Sequence, residues 1–175
     1  MNDNKLQKYI LTAMLAAICC VATMAIRVPT IGTNGYVNIG DSIVLICAWL
    51  LGGPLGAFAA GLGSAMADLL AGYVSYVPGT FIIKFLMALV AGKLYTILNT
   101  KIKKNQFSYI ISAIVAELIM VGGYFVYEAL ILRYGVAAAP SIISNLVQGG
   151  TCIIIGVLLV NALNGSRYLV HQFSK

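Results

Sequence analysis

Long apolar stretches, each closed by a short polar, glycine- or proline-containing segment, follow one another along the whole chain. The first covers about residues 6–27 and stops at Val28-Pro29, because proline disfavours helix at the residue before it. Residues 30–40 are rich in Gly, Thr and Asn and read as a loop outside the membrane. A second apolar stretch starts at Asp41 or Ser42, ends at Leu51, and is broken by Gly52-Gly53-Pro54. A third covers about 55–73, a fourth 80–98, a fifth 109–132 and a sixth 141–163. A helix needs about 20 apolar residues to cross a ~30 Å hydrocarbon core. The second stretch is too short for that at ~1.5 Å per residue, so it is expected to be supplemented by part of the loop or shielded by its neighbours. The third carries Gly56, Ala57, Ala59, Ala60, Gly61, Gly63, Ala65 and Ala67. Such small residues let helix backbones approach closely in lipid.

The pattern predicts an all-α integral membrane protein, a bundle of six transmembrane helices forming one domain over residues 1–175. Composition agrees. The chain is 61% hydrophobic and only 9% charged, against about 25% charged in ordinary soluble domains. The net charge of +6 comes from clusters between apolar stretches: Lys5 and Lys8, then Lys101, Lys103 and Lys104, then Arg167 and Lys175. Basic clusters of this kind mark cytoplasmic ends. Six spans bring all three clusters to one side, so both termini are expected in the cytoplasm and the loops at 30–40, 72–78 and 134–140 outside. A cell-membrane protein with no nucleic-acid partner fits this distribution. No cleavable signal segment is evident. Cys19, Cys20, Cys47 and Cys152 lie in apolar runs without metal or redox spacing and read as small hydrophobes.

Ionisable groups inside such helices cost about 2.5–3.5 kcal/mol each on insertion scales, which makes the few that occur informative. Glu117, Tyr124 and Glu128 share one face of the fifth helix, since offsets of seven and eleven return to nearly the same direction. Asn145, Gln148 and Cys152 share a face of the sixth. Lys84 and Asp68 add polar groups from the fourth and third helices near the same level. Lys84 paired with Asp68, Glu117 as a packing residue, and Glu128, Asn145 and Gln148 as helix-to-helix bridges are structural readings of these positions. Tyr36, Tyr73 and Tyr76 could be interface anchors. Together the convergent polar groups suit a mostly apolar ligand pocket. Catalysis has little support: the chain has one histidine, His171, and no phosphate-binding loop, so neither enzyme, metal centre nor bound cofactor is expected. Ala13 and Ala17, four apart on the first helix, form a small-residue surface suited to internal packing or to docking another membrane subunit.

Three stretches carry a family resemblance. They are Gly35-Tyr36-Val37-Asn38-Ile39-Gly40-Asp41, Leu51-Gly52-Gly53-Pro54-Leu55-Gly56 running on through Gly61-Leu62-Gly63-Ser64-Ala65-Met66-Ala67-Asp68-Leu69-Leu70-Ala71-Gly72-Tyr73, and Pro78-Gly79-Thr80-Phe81-Ile82-Ile83-Lys84-Phe85-Leu86-Met87. With them the chain resembles a substrate-binding S-component of an energy-coupling factor (ECF) vitamin transporter, of the riboflavin-type group that includes hydroxymethylpyrimidine and pyridoxine binders. The resemblance implies six helices and a ligand held by helices four to six and the loop after helix one. It implies docking of the alanine surface to a transmembrane coupling subunit, and import driven by two cytoplasmic ATPase subunits.

On this reading the substrate-binding residues are Glu128, Asn145, Gln148, Tyr124, Lys84, Asp68, Tyr36, Asn38 and Tyr73, and Ala13 and Ala17 are the docking residues. Riboflavin binders of the family are similar in carrying an Asn followed three residues later by a Lys on helix six, where this chain has Asn145 and Gln148. A carboxylate with two amides suits a neutral or cationic heteroaromatic ring, which favours pyridoxine or hydroxymethylpyrimidine over riboflavin. The alternative is a self-sufficient proton-coupled secondary transporter with Glu117 as proton carrier; the absence of inverted hydropathy repeats counts against it.

Overall fold

The computed structural model describes residues 3–30, 32–102 and 105–165. Lys103, Lys104, Arg167, His171 and Lys175 lie outside the described residues, so the basic clusters are visible only in part. Helix α1 (Asp3–Ala25) leads into a hairpin of β1 (Arg27–Pro29) and β2 (Tyr36–Asn38). Helices α2 (Asp41–Leu50), α3 (Gly53–Leu70), α4 (Val77–Ile102) and α5 (Asn105–Val126) follow. A π-helical turn at Tyr127–Ile131 and a 3₁₀ turn at Gly135–Ala138 then lead into α6 (Ala139–Gly165).

Four segments are long and apolar enough to cross a membrane: Lys5–Ala25, Val77–Lys101, Gln106–Ile131 and Gly135–Gly165. The sequence predicts six spans. By length and composition α2 and α3 are not among those four, because α2 has 10 residues and α3 is diluted by glycine and alanine. Helix α2 is instead the centre of the bundle. Asp41, Ser42, Val44, Leu45, Ile46, Cys47, Ala48 and Trp49 are all buried. A helix that is apolar all round belongs inside a larger structure, and here α1, α3, α4 and α6 surround it. The expectation that neighbours shield this short element is met.

Helix α3 shows why its small residues are there. A Cβ on Gly56 would sit 2.4 Å from the Cys47 carbonyl oxygen of α2, one on Gly61 2.9 Å from that of Phe81 in α4, and one on Gly63 2.3 Å from that of Ala16 in α1. Three neighbours thus reach the α3 backbone itself. The reversal between α2 and α3 needs glycine for a different reason. Gly52 and Gly53 have φ of 61° and 48°, where a side chain is strained.

The loop expected over 30–40 contains β2, which pairs antiparallel with β1: Arg27 with Asn38, Val28 with Val37 and Pro29 with Tyr36. The second strand of this hairpin lies half-buried against α1 and α6 before α2 begins. At the opposite end of the bundle, Trp49 donates from Nε1 to Ser112 Oγ at 3.1 Å and meets the Tyr109 ring edge-on at 4.8 Å. Tyr109 stacks on Tyr95 at 4.5 Å.

The Gly63 contact generates a test. Gly63→Leu places new atoms inside the closest approach of α1 and α3, so it is expected to destabilise by at least about 1–3 kcal/mol, the cost of overpacking. Thermal unfolding of the detergent-solubilised protein should show the lowered Tm.

Candidate functional site

The site is built on a buried ion pair. Asp41 opens α2, where the helix N-terminus favours a negative charge. Lys84 Nζ of α4 donates to Asp41 Oδ1, and the two side chains are only 2% and 1% exposed. Gln148 of α6 donates from Nε2 to Asp41 Oδ2 at 2.5 Å. Its Oε1 accepts from the backbone N–H of Asn38 at 2.6 Å. The Asn38 carbonyl in turn lies 3.6 Å from Cys152 Sγ, which donates to it. Lys84 also sits 5.1 Å from the centroid of the Tyr124 ring, a cation–π arrangement. Lys84 therefore does not pair with Asp68, as one reading of the sequence had it. The strand β2 leads the chain to Asp41, its partner, whereas Asp68 accepts from Tyr36 Oη at 2.5 Å.

Above this floor lies a small cavity lined by Gly35, Tyr36, Asn38, Asp68, Tyr76, Thr80, Tyr124 and Asn145. Its volume, about 20 Å³, holds roughly one water molecule. Thr80 Oγ1 and Tyr124 Oη share a hydrogen bond at 3.0 Å on one wall. Asn145 is 5% exposed and lines the cavity. A wider groove of about 460 Å³ adjoins it through Gly35 and is bordered by Pro29, Thr33, Asn34, Gly72, Tyr73 and Ser75. Four tyrosines line up in ring-to-ring contact at this end: Tyr36 with Tyr73 at 4.6 Å, Tyr73 with Tyr76 at 6.4 Å, and Tyr76 with Tyr127 at 6.2 Å.

Five of the nine expected binding residues border the cavity: Tyr36, Asn38, Asp68, Tyr124 and Asn145. Lys84 and Gln148 form the layer beneath, and Tyr73 borders the outer groove. Glu128 stands behind the wall. It sits in the π-helical turn, 2% exposed, accepting from Tyr76 Oη at 3.0 Å and from Ser141 Oγ at 2.5 Å. It ties the start of α4 to the start of α6. π-turns are common at functional sites, but their extra residue leaves no mark in helical periodicity. Burial holds the Tyr76 hydroxyl above its usual range, and burial followed by the Asp68 charge does the same for Tyr36; both phenols stay protonated and act as donors. Glu117 lies deeper, 4% exposed against Gly149, with both carboxyl oxygens unpartnered among the described residues. Sequence reasoning missed Thr80 and Gly35 as lining residues and Asp41 as the partner of Lys84.

Comparison with known proteins decides what such a bundle is. The family model described as "ECF-type riboflavin transporter, S component" matches residues 3–165. The chain belongs to that family. S components are membrane subunits that bind a vitamin for ECF import, not a class of enzymes. The solved structure of the S component of a bacterial ECF transporter superposes with a TM-score of 0.66, covering 92% of this chain and 97% of that one at 20% identity. At that identity the likeness establishes the fold. A Pyrococcus woesei protein, described as "uncharacterized protein in gap 3'region", is 33% identical over 136 residues, 78% of this S component and 87% of that protein.

The ion pair generates a test of its own. Lys84→Met leaves the Asp41 carboxylate buried without its cation and is expected to cost about 3–5 kcal/mol. Adding Asp41→Leu to it is expected to recover most of that loss. Unfolding of both variants in detergent, followed by circular dichroism, checks the difference.

Proposed function

We propose that this S component captures a neutral heteroaromatic vitamin at the hairpin end of its bundle, pyridoxine or hydroxymethylpyrimidine ahead of riboflavin. The observation that carries this reading is the contrast between Lys84 and Asn145. The cation at the site is engaged by Asp41, so it has no free charge with which to meet an anion. Asn145 borders the cavity and takes no part in the Asp41–Lys84–Gln148 floor. Its amide can both donate and accept, which suits a ring bearing hydroxymethyl or amine groups. The tyrosine row supplies faces against which such a ring stacks. Tyr36, Asn38, Asp68 and Tyr124 complete the contact set, with Glu128 holding Tyr76 in place. A ring cannot enter about 20 Å³ unaided; β2 or Tyr124 has to shift. The riboflavin reading is favoured by the description of the family model itself.

In this reading the hairpin end faces outside and both termini lie in the cytoplasm of a prokaryotic cell. Ala13 and Ala17 are exposed on α1, whereas Leu15, Ala16 and Cys19 turn inward. The exposed alanines then dock a transmembrane coupling subunit, and two cytoplasmic ATPase subunits drive import. A second reading, proton-coupled transport by the chain alone, is favoured by the unpartnered carboxyl of Glu117. It requires uptake into liposomes holding only this protein under a pH gradient.

Titration calorimetry with pyridoxine, hydroxymethylpyrimidine and riboflavin on the purified protein tests the first reading, alongside mass spectrometry of whatever copurifies. Failure of all three to bind overturns it. Asn145→Ala is expected to weaken the bound vitamin by roughly 1–3 kcal/mol, the cost of an unpaired buried polar group. Ala13→Leu with Ala17→Leu is expected to leave calorimetric affinity unchanged and to abolish uptake in cells supplying the coupling subunits.

A further inference from the structure

Gln148 faces the site from α6, yet both ends of its amide are already taken. Its carbonyl oxygen accepts from the Asn38 N–H at 2.6 Å, and its NH₂ donates to Asp41 at 2.5 Å. It is 5% exposed and does not border the cavity. Asp41 likewise has one oxygen on Gln148 and the other on Lys84. Each group faces its partner with the only polarity that works. An ionised carboxylate accepts and never donates, so Asp41 forces the NH₂ of Gln148 toward itself and the carbonyl toward β2. The N–H of Asn38 therefore finds an acceptor. Tyr36 and Asn38, on either side of Val37 in β2, both border the cavity.

We propose that Asp41 and Gln148 are positioning residues that clamp β2 and so set the height of Tyr36 and Asn38 over the ligand, without contacting the ligand themselves. This rests on the binding reading for its consequence, though the clamp itself is a property of the protein alone. Asp41 orients Gln148, Gln148 holds the strand, and Lys84 balances the charge. Nothing else in the described residues bonds the Asn38 N–H, which β1 leaves free at the end of the hairpin register. Strand position is then controlled from the buried floor. A vitamin that needs β2 to move has to break these two hydrogen bonds, along with the weaker one from Cys152 Sγ to the Asn38 carbonyl.

A donor–acceptor exchange tests this. Gln148→Glu removes the NH₂ and sets two carboxylates against each other. Asp41→Asn in the same protein restores a complementary pair: the new amide donates to the new carboxylate, which still accepts from Asn38, and the net charge is conserved. Hydrogen exchange of residues 36–38, read by mass spectrometry on the purified protein in nanodiscs without added vitamin, is expected to speed up roughly tenfold or more in Gln148→Glu, the scale of one lost charge-assisted bond. It is expected to return to within roughly threefold of the parent in the double variant. Gln148→Ala, which leaves the Asp41–Lys84 pair intact, is expected to show the same acceleration and guards against a folding defect in the charged variant. Unchanged exchange in both single variants overturns the clamp. Vitamin affinity supplies the second readout, with recovery in the double variant expected. Restored protection with affinity still lost identifies Gln148 as a direct ligand contact and also overturns the proposal. Failure of any vitamin to bind the parent removes the binding reading and leaves the exchange result standing.

Discussion

A lysine placed in the middle of an apolar helix bundle has to be answered by a carboxylate, and the chain's path is arranged to bring one to it. Lys84 lies seven residues beyond the start of α4, about 10 Å along the axis at 1.5 Å per residue. The N-terminus of α2 meets it there: β2 leads the backbone to Asp41, the first residue of that helix. Because α2 starts from this buried point, ten residues suffice for it, and neighbours cover nearly all of it. The short central helix, the strand before it and the polar floor are three aspects of one neutralised charge.

Above that floor the polar groups divide into two sets. Asp41, Lys84, Gln148, Glu128 and Tyr76 satisfy one another and hold elements together. Asn145 stands apart from that network, beside the cavity. Groups already bonded to one another gain little from a ligand. The number of polar residues near the cavity therefore overstates the number available for recognition.

Much of the helical plan was legible, because long apolar runs interrupted by Gly-Pro pairs, as at Gly52-Gly53-Pro54, admit few alternatives in lipid. The small residues of α3 announced close packing, and Gly56, Gly61 and Gly63 each have a neighbour's backbone against them. Asn145, Tyr124, Tyr36, Asn38 and Asp68 were legible as convergent polar positions because polarity stands out against an apolar background, and all five border the cavity. The pairing of Lys84 was not. Asp41 sits at a helix start, where an acidic residue is unremarkable, and only the packing around α2 shows that it is buried. Glu128 was found for its charge, but its partners Tyr76 and Ser141 come from two other segments that helical spacing does not connect. Thr80 carries too common a side chain to stand out.

The chain has a single tryptophan, Trp49, and it stands at the end of α2 remote from the cavity, hydrogen-bonded to Ser112 and against Tyr109. Its emission is blind to events among the tyrosines at the hairpin end unless they are transmitted along the central helix. Intrinsic fluorescence is thus a built-in strain gauge for α2: a silent indole during vitamin capture means that the strand yields alone, and a shifted one means that the whole axis of the bundle has moved.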